Sequence, residues 1–276
     1  MQTFYDFKKL LTIKRYAHNT IESYAGHLIA FQKFLGMDRP LDGLDNYQVN
    51  DAISKVVPHK NLALGTQKQL IGAIKLYFKE MHNREYDFSK VYPRSKPQPL
   101  PTVLSTVEVK AILNSCVNKK HKAMLAFIYG LGLRSGELIA LKITDIDKQR
   151  QQVHIKNSKN GKDRILPLPA SLKPVLKAYY LEYKPKEYLF EGQNKPQYSP
   201  QSLRKVFHIA CKKANIRKYV TLHSLRHAYA THLMDSGTDV RIIKELLGHT
   251  NLKTTLIYTH VTTRTMQNVA SPLDFL

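Results

Sequence analysis

Between residues 93 and 101 the chain reads Pro-Arg-Ser-Lys-Pro-Gln-Pro-Leu-Pro. Four prolines in so short a stretch remove backbone donors and hold the backbone extended, so no helix or central strand can run through it. A chain of 276 residues interrupted here folds as two bodies. The expected division is a first domain at 1–92, a linker at 93–101, a second domain at 102–263 and a tail at 264–276.

The first body reads as all-α. Ile21, Tyr24, Leu28, Phe31 and Leu35 recur at three- and four-residue steps and make one apolar stripe, with Asn19 as the expected N-cap and Gly36 as the stop. Further helices are expected over about 46–55 and 66–81, the latter turning Leu70, Ile74, Tyr77 and Phe78 inward.

The second body is mainly α with a small antiparallel sheet. Ser105-Thr106-Val107-Glu108 has the capping-box pattern and starts a helix to about Val117. A buried helix over 123–131 and a short one after Arg134 follow, then strands at 143–146, 152–155 and 164–168. Asn160-Gly161 marks a tight hairpin turn between the last two strands, with Lys156, Lys159 and Lys162 around it. Helices are expected over about 171–183 and 200–214, and from His223; Gly248 ends another, leaving His249 on the turn.

Charge narrows the partner. The whole chain carries a net +22, and 28 of its 43 Lys and Arg residues lie after Pro101. Such an excess favours a polyanion, and nucleic acid ranks before a membrane because the longest apolar stretch, 123–133, is too short to span a bilayer. Cys116 and Cys211 are isolated, which suits a reducing compartment, and the N-terminus lacks a secretory profile. The expected location is cytoplasmic, nucleoid-associated in a prokaryote.

From Thr221 to His260 the residues become chemical rather than structural. A helix from His223 brings His223 and Arg226 to one face, one turn apart. A guanidinium forks onto phosphate oxygens, and a phenol such as Tyr258 can attack phosphorus. His223 and His227 stand at the spacing of a helical zinc pair, but no carboxylate or Cys lies near them, and no metal or other cofactor is expected. Taken singly, Arg134 reads as a surface or ion-pair residue, Tyr258 as core or rim, and Lys159 as a solvated hairpin tip.

Their order and neighbours carry more weight than any one of them. Gly-Leu-Arg134-Ser-Gly-Glu137-Leu, the hairpin Lys159, His223-Ser-Leu-Arg226-His227, Leu-Gly-His249 and Tyr258 together resemble the tyrosine recombinase (phage integrase) family, in a compact form similar to its Xer-like and integron-integrase branches. The helical first half and proline linker resemble that family's SAM-like core-binding domain and interdomain strap. The resemblance implies a C-shaped DNA clamp in which Tyr258 forms a 3′-phosphotyrosyl link. It makes Arg134 and Arg226 the phosphate clamp, His249 a further donor to that phosphate, His223 the group that accepts or orients the tyrosine proton, and Lys159 the general acid. Glu137 and His227 resemble supporting residues, and His260 a structural or rim residue. Lys156, Lys162, Arg94 and Lys96 are expected on the DNA backbone.

The expected activity is site-specific recombination by four protomers on paired DNA sites, without metal or ATP; a paralogous recombinase or an accessory factor stays open as a further partner. A type IB topoisomerase-like relaxing enzyme and a non-catalytic DNA-binding regulator of integrase ancestry stay open as alternatives. The apolar end of the tail, Pro272, Leu273, Phe275 and Leu276, is expected to exchange between protomers of a homo-oligomer.

Overall fold

The computed structural model describes residues 2–36, 39–94, 102–156, 163–193, 195–256 and 258. Lys96, Lys159, Lys162, His260, most of the linker and the tail from Arg264 lie outside the described residues. The chain divides into two compact units, Met1–Pro97 and Gln98–Leu276, taken here one at a time.

The first unit comprises α1 (Gln2–Ile13), α2 (His18–Leu35), α3 (Asn46–His59) and α4 (Leu64–His82). Ile21, Ala25, Leu28 and Phe31 are the buried side of α2, and Gly36 ends it at φ 96, its N–H donating to the Gln32 carbonyl. The expected cap at Asn19 is not used. Arg15 closes α1 in the left-handed region (φ 57), and the connection is so short that α2 starts at His18, placing Asn19 inside the first turn. Helix α3 is capped by a reciprocal Asp45–Gln48 box and runs past Lys55 because Val56 continues the buried row of Val49 and Ile53. Phe4, Phe7 and Phe78 surround Tyr77, whose hydroxyl donates to the Asp42 carboxylate.

The second unit opens with α5 (Thr106–Asn114), where Ser105 and Glu108 cap one another as the sequence predicts. This helix stops short of Val117, because Asn118 already caps α6 (Lys119–Leu131) through the His121 N–H. Helix α6 is the buried centre, with Ala123 to Ile128 all inward, and it ends at Gly132. Then come α7 (Ser135–Ala140), β1 (Ile146–Asp147), β2 (Gln152–Ile155) and β3 (Arg164–Pro167), the strands forming one antiparallel sheet in that order. The strand expected from Ile143 is shorter. Residues Ile143–Asp145 form a 3-10 turn because the Asp145 carboxylate accepts from the Lys142 N–H at 2.9 Å and curls the backbone. Val153 and Leu166 pair across β2 and β3 and face the core.

Helices α8 (Leu172–Tyr183), α9 (Pro200–Lys213), α10 (Leu222–Asp235), α11 (Val240–Leu247) and α12 (Lys253–Leu256) complete the unit. Its main core gathers apolar residues from α5, α6, α9, α10 and the sheet. A smaller cluster of Ala230, Ile243, Leu247 and Tyr258 lies beside it. No helix among the described residues is long and apolar enough to cross a membrane.

Candidate active site

Two glycine turns build the floor of the site. Gly132 ends α6 at φ 60 and Gly248 ends α11 at φ 62, a backbone region that costs glycine nothing. A Cβ at Gly132 would also stand 2.5 Å from the Tyr229 ring. These turns aim the carbonyls of Gly132 and Leu247 inward, and Arg226 from the first turns of α10 donates to both at 2.6 Å. Arg226 is wholly buried, and its Nε has no hydrogen-bond partner among the described residues. Burial first, then the nearby Arg134 charge, pushes its pKa down to about 10, which still leaves it a cation at neutral pH.

Glu137 supplies the counter-charge. Its carboxylate accepts from the Arg134 N–H (2.8 Å) and Arg134 Nη1 (2.7 Å), and from Arg164 Nη1 (2.9 Å) and Nη2 (2.8 Å); Arg226 Nη1 lies 3.8 Å away. Burial alone would raise the pKa of this acid, but the hydrogen bonds and charge of Arg164, with those of Arg134, hold it down at about 2. Three guanidiniums around one carboxylate leave an excess of positive charge, as a site for an anion needs. Arg134 keeps a partly exposed side chain, with Nη2 3.3 Å from the Gly248 carbonyl.

The histidines and the tyrosine stand over this base. Tyr258 is 2% exposed, and its hydroxyl lies 2.8 Å from His227 Nδ1. Burial raises the phenol pKa, against the pull of Arg226 and Arg134. Burial, then Arg226, lowers that of His227, which therefore stays neutral and can accept the phenol proton's hydrogen bond. His223 keeps an exposed edge, yet desolvation by the protein atoms behind its ring, then His227 and Arg226, pushes it down to about 4. The two imidazoles meet edge to face, 4.5 Å between centroids. His249, also held at about 4 by burial and by Arg226 and Arg134, sets Nδ1 2.9 Å from the hydroxyl of buried Thr255 on α12.

The structure thus brings Arg134, Glu137, His223, Arg226, His227, His249 and Tyr258 together. It differs from the sequence reading in which histidine touches the tyrosine. His227, expected behind the contact residues, bonds the hydroxyl directly, because it lies one helical turn beyond His223 on the same face of α10. Lys156, expected on a DNA backbone, pairs with the buried Asp145 carboxylate at 2.7 Å, so its amine is tied to the body of the sheet. Arg94 is exposed at the last described position of the first unit. Arg164 and Thr255 are the residues that sequence reasoning missed. Arg164 has a signal in hindsight: it shares strand parity with the inward Leu166. Thr255 has none that we can identify. Among the described residues no three His, Cys, Asp or Glu side chains converge as a metal ion would require.

Comparison with known proteins places this geometry in a family. Residues 102–265 match the phage integrase family, and residues 4–87 match the phage integrase N-terminal SAM-like domain. The tyrosine recombinase XerD of Listeria innocua is 30% identical over 284 residues, covering 96% of this chain and 95% of that protein. The tyrosine recombinase XerA of Pyrococcus horikoshii is 38% identical over 199 residues, 71% of this chain and 69% of that one. Among solved structures, a XerA recombinase is similar with a TM-score of 0.55 at 27% identity, covering 95% of each chain. The fold is shared with XerH bound to its palindromic difH substrate in a post-cleavage complex, TM-score 0.72 at 24% identity over 92% of this chain and 80% of that one. With both units matched and the Listeria innocua XerD aligned along nearly the whole length, the chain belongs to the phage integrase family and is a tyrosine recombinase.

Proposed function

We propose that this recombinase cleaves and rejoins duplex DNA at a specific site through a 3′-phosphotyrosyl intermediate on Tyr258. The observation that carries the reading is the buried Tyr258 hydroxyl on His227, beside His223 and within reach of the charges of Arg226 and Arg134, two arginines gathered at the buried Glu137 carboxylate. The phenol oxygen attacks the scissile phosphorus, a Tyr258 O–P bond forms, and the bond to the 5′-oxygen breaks. The phenol proton passes to the His223–His227 pair, with His227 the direct contact in this structure. Lys159 returns a proton to the departing 5′-oxygen, the role the family resemblance implies for it. Arg134, Arg226 and His249 face the non-bridging oxygens, and fixed donors of that kind are worth ~10²–10³ in rate each. Because the phosphodiester energy stays in the covalent link, attack by a 5′-hydroxyl rejoins the strand without ATP.

The partner in this reading is double-stranded DNA, consistent with the net charge of +22 and with a XerH structure that holds its difH substrate. Residues 1–92 are the core-binding domain, 93–101 a strap, 102–263 the catalytic domain and 264–276 a tail exchanged between protomers of a tetramer on paired sites. Arg94, Lys96, Lys156 and Lys162 contribute backbone charge, Lys156 from its position on Asp145.

The test uses duplexes selected by binding from a random-sequence pool and built with a nick that traps the covalent adduct. The parent forms the adduct; Tyr258→Phe binds as tightly and forms none. An adduct in Tyr258→Phe assigns the nucleophile elsewhere. Relaxation of a supercoiled plasmid by the parent, without exchange between paired sites, favours the topoisomerase alternative.

A further inference from the structure

We infer that Arg164 is a positioning residue for strand cleavage: it sets Glu137, and through Glu137 the guanidinium of Arg134, while fixing the turn that carries His249. The inference rests on the function proposed above.

Arg164 opens β3, opposite Ile155 of β2 in the sheet register. Its side chain is 8% exposed, and all three of its nitrogens are engaged. Nη1 and Nη2 fork onto the two oxygens of Glu137, 27 residues earlier on α7. Nε donates to the Leu246 carbonyl at 2.8 Å, 82 residues later in the last turn of α11. The same guanidinium lies against Gly248, where even a Cβ would stand only 3.1 Å from Nη1. One side chain thus ties strand, α7 and α11 together at the point where Arg134 and His249 emerge.

The geometry divides the labour among the arginines. Arg134 is partly exposed and gives Glu137 one side-chain hydrogen bond, leaving Nη2 toward the Gly248 carbonyl and the open side of the site. Arg226 reaches Glu137 only at 3.8 Å and spends its two terminal nitrogens on backbone carbonyls. Arg164 alone of the three holds both carboxylate oxygens in a planar fork, which fixes the plane of the carboxylate. Without it Glu137 keeps its bonds from Arg134 but loses the fork that fixes its plane against β3, so Arg134, bonded to it by backbone and side chain, loses a rigid template. Misplacement by about 1 Å in such a site costs ~10² in rate. A lysine at 164 keeps the charge and gives up the fork.

The experiment compares the parent with Arg164→Met, Arg164→Lys, Glu137→Gln and the Arg164→Met/Glu137→Gln double variant. Each is measured for affinity to the selected duplex, for the single-turnover rate of adduct formation on saturating nicked duplex, and for urea unfolding. Arg164→Met is expected to slow adduct formation ~10²-fold at near-parental affinity, Arg164→Lys to recover part of that rate, and the double variant to be no slower than Glu137→Gln alone. A parental rate on bound duplex in Arg164→Met, a loss confined to affinity, or independent losses that multiply in the double variant overturns the inference. If Arg164→Met does not fold, Arg164→Lys decides: a parental rate there overturns it, a slowed rate at parental affinity supports it. Absence of adduct from the parent overturns the proposed function itself and the inference with it, an outcome the parental arm separates from failure of the variants.

Discussion

The two units of this chain are held together by different physics. In the first, Phe7, Phe31, Ile53, Tyr77 and Phe78 are buried among apolar neighbours, and most of the ion pairs, such as Lys8–Glu22 and Lys55–Asp51, lie at the surface where they contribute little. In the second, a comparable apolar core supports a buried polar hub of Glu137, Arg164 and Arg226 beside Tyr258. Apolar burial is non-directional, so a core such as the first unit's accepts apolar exchanges that conserve volume. The hub is directional: among the described residues every guanidinium nitrogen of Arg164 and Arg226 but Arg226 Nε has an assigned acceptor, and a lost partner strands a charge in a poorly solvated place.

That contrast can be broken most forcefully at Glu137. Glu137→Ala leaves Arg164 and Arg226 without their carboxylate, and it is expected to cost ~3–5 kcal/mol in urea unfolding and to abolish adduct formation even where the protein is kept folded. A variant that is equally stable would show that the guanidiniums rely on backbone carbonyls alone. The matched change in the first unit, Leu28→Ala, removes a fully buried side chain of α2 and is expected to cost about 3 kcal/mol, while leaving the rate of adduct formation on bound duplex unchanged. A slowed chemical step there would mean that the first unit's core acts beyond its own stability.

A third difference appears with acid. His223 and His249 are held at about 4, below the ordinary histidine value of 6.5, so the unfolded chain takes up protons first. Stability is therefore complete above pH 6.5, falls as pH drops toward 4, and Glu137, held at about 2 against an ordinary 4.5, adds a further loss below pH 4.5. Unfolding followed from pH 7 to pH 4 should show this slope, and His223→Gln/His249→Gln should reduce it; an unchanged slope would place its source in other partly buried histidines such as His227, His121 and His232. The smallest effect is expected at Ser105→Ala, which removes one half of the α5 capping box, costs ~1 kcal/mol and leaves chemistry on bound duplex intact. A larger loss of cleavage than of stability there would tie the start of α5 to the site.

Much of this was legible along the chain because it depends on neighbours in sequence. The three- and four-residue apolar steps of α2, the Ser105–Glu108 box and the glycine stops at Gly36 and Gly248 are local encodings, and the structure realises each of them. The motif order from Arg134 through Glu137 to Tyr258 was sufficient to indicate the family. Errors fell where a tertiary or turn contact competed with a local preference: Asn19 lost its cap position to the tight exit from α1, and Ile143 lost its strand to the Asp145 side chain.

Partnership across distant segments was decided only in the tertiary structure. Amino-acid order names Arg164 as a strand residue and His227 as the follower of Arg226, but it takes the packing of β3 and α11 beside α7 to set Arg164 on Glu137 and Leu246. It takes the return of the chain after α11 to bring Tyr258 to His227 rather than His223, and Thr255 to His249. The reason is physical. Periodicity and capping involve groups a few residues apart, whose geometry the backbone dictates, whereas a buried charge is satisfied by whichever opposite group the fold brings within about 3 Å, and for Arg164 those groups, on Glu137 and Leu246, lie 27 and 82 residues away.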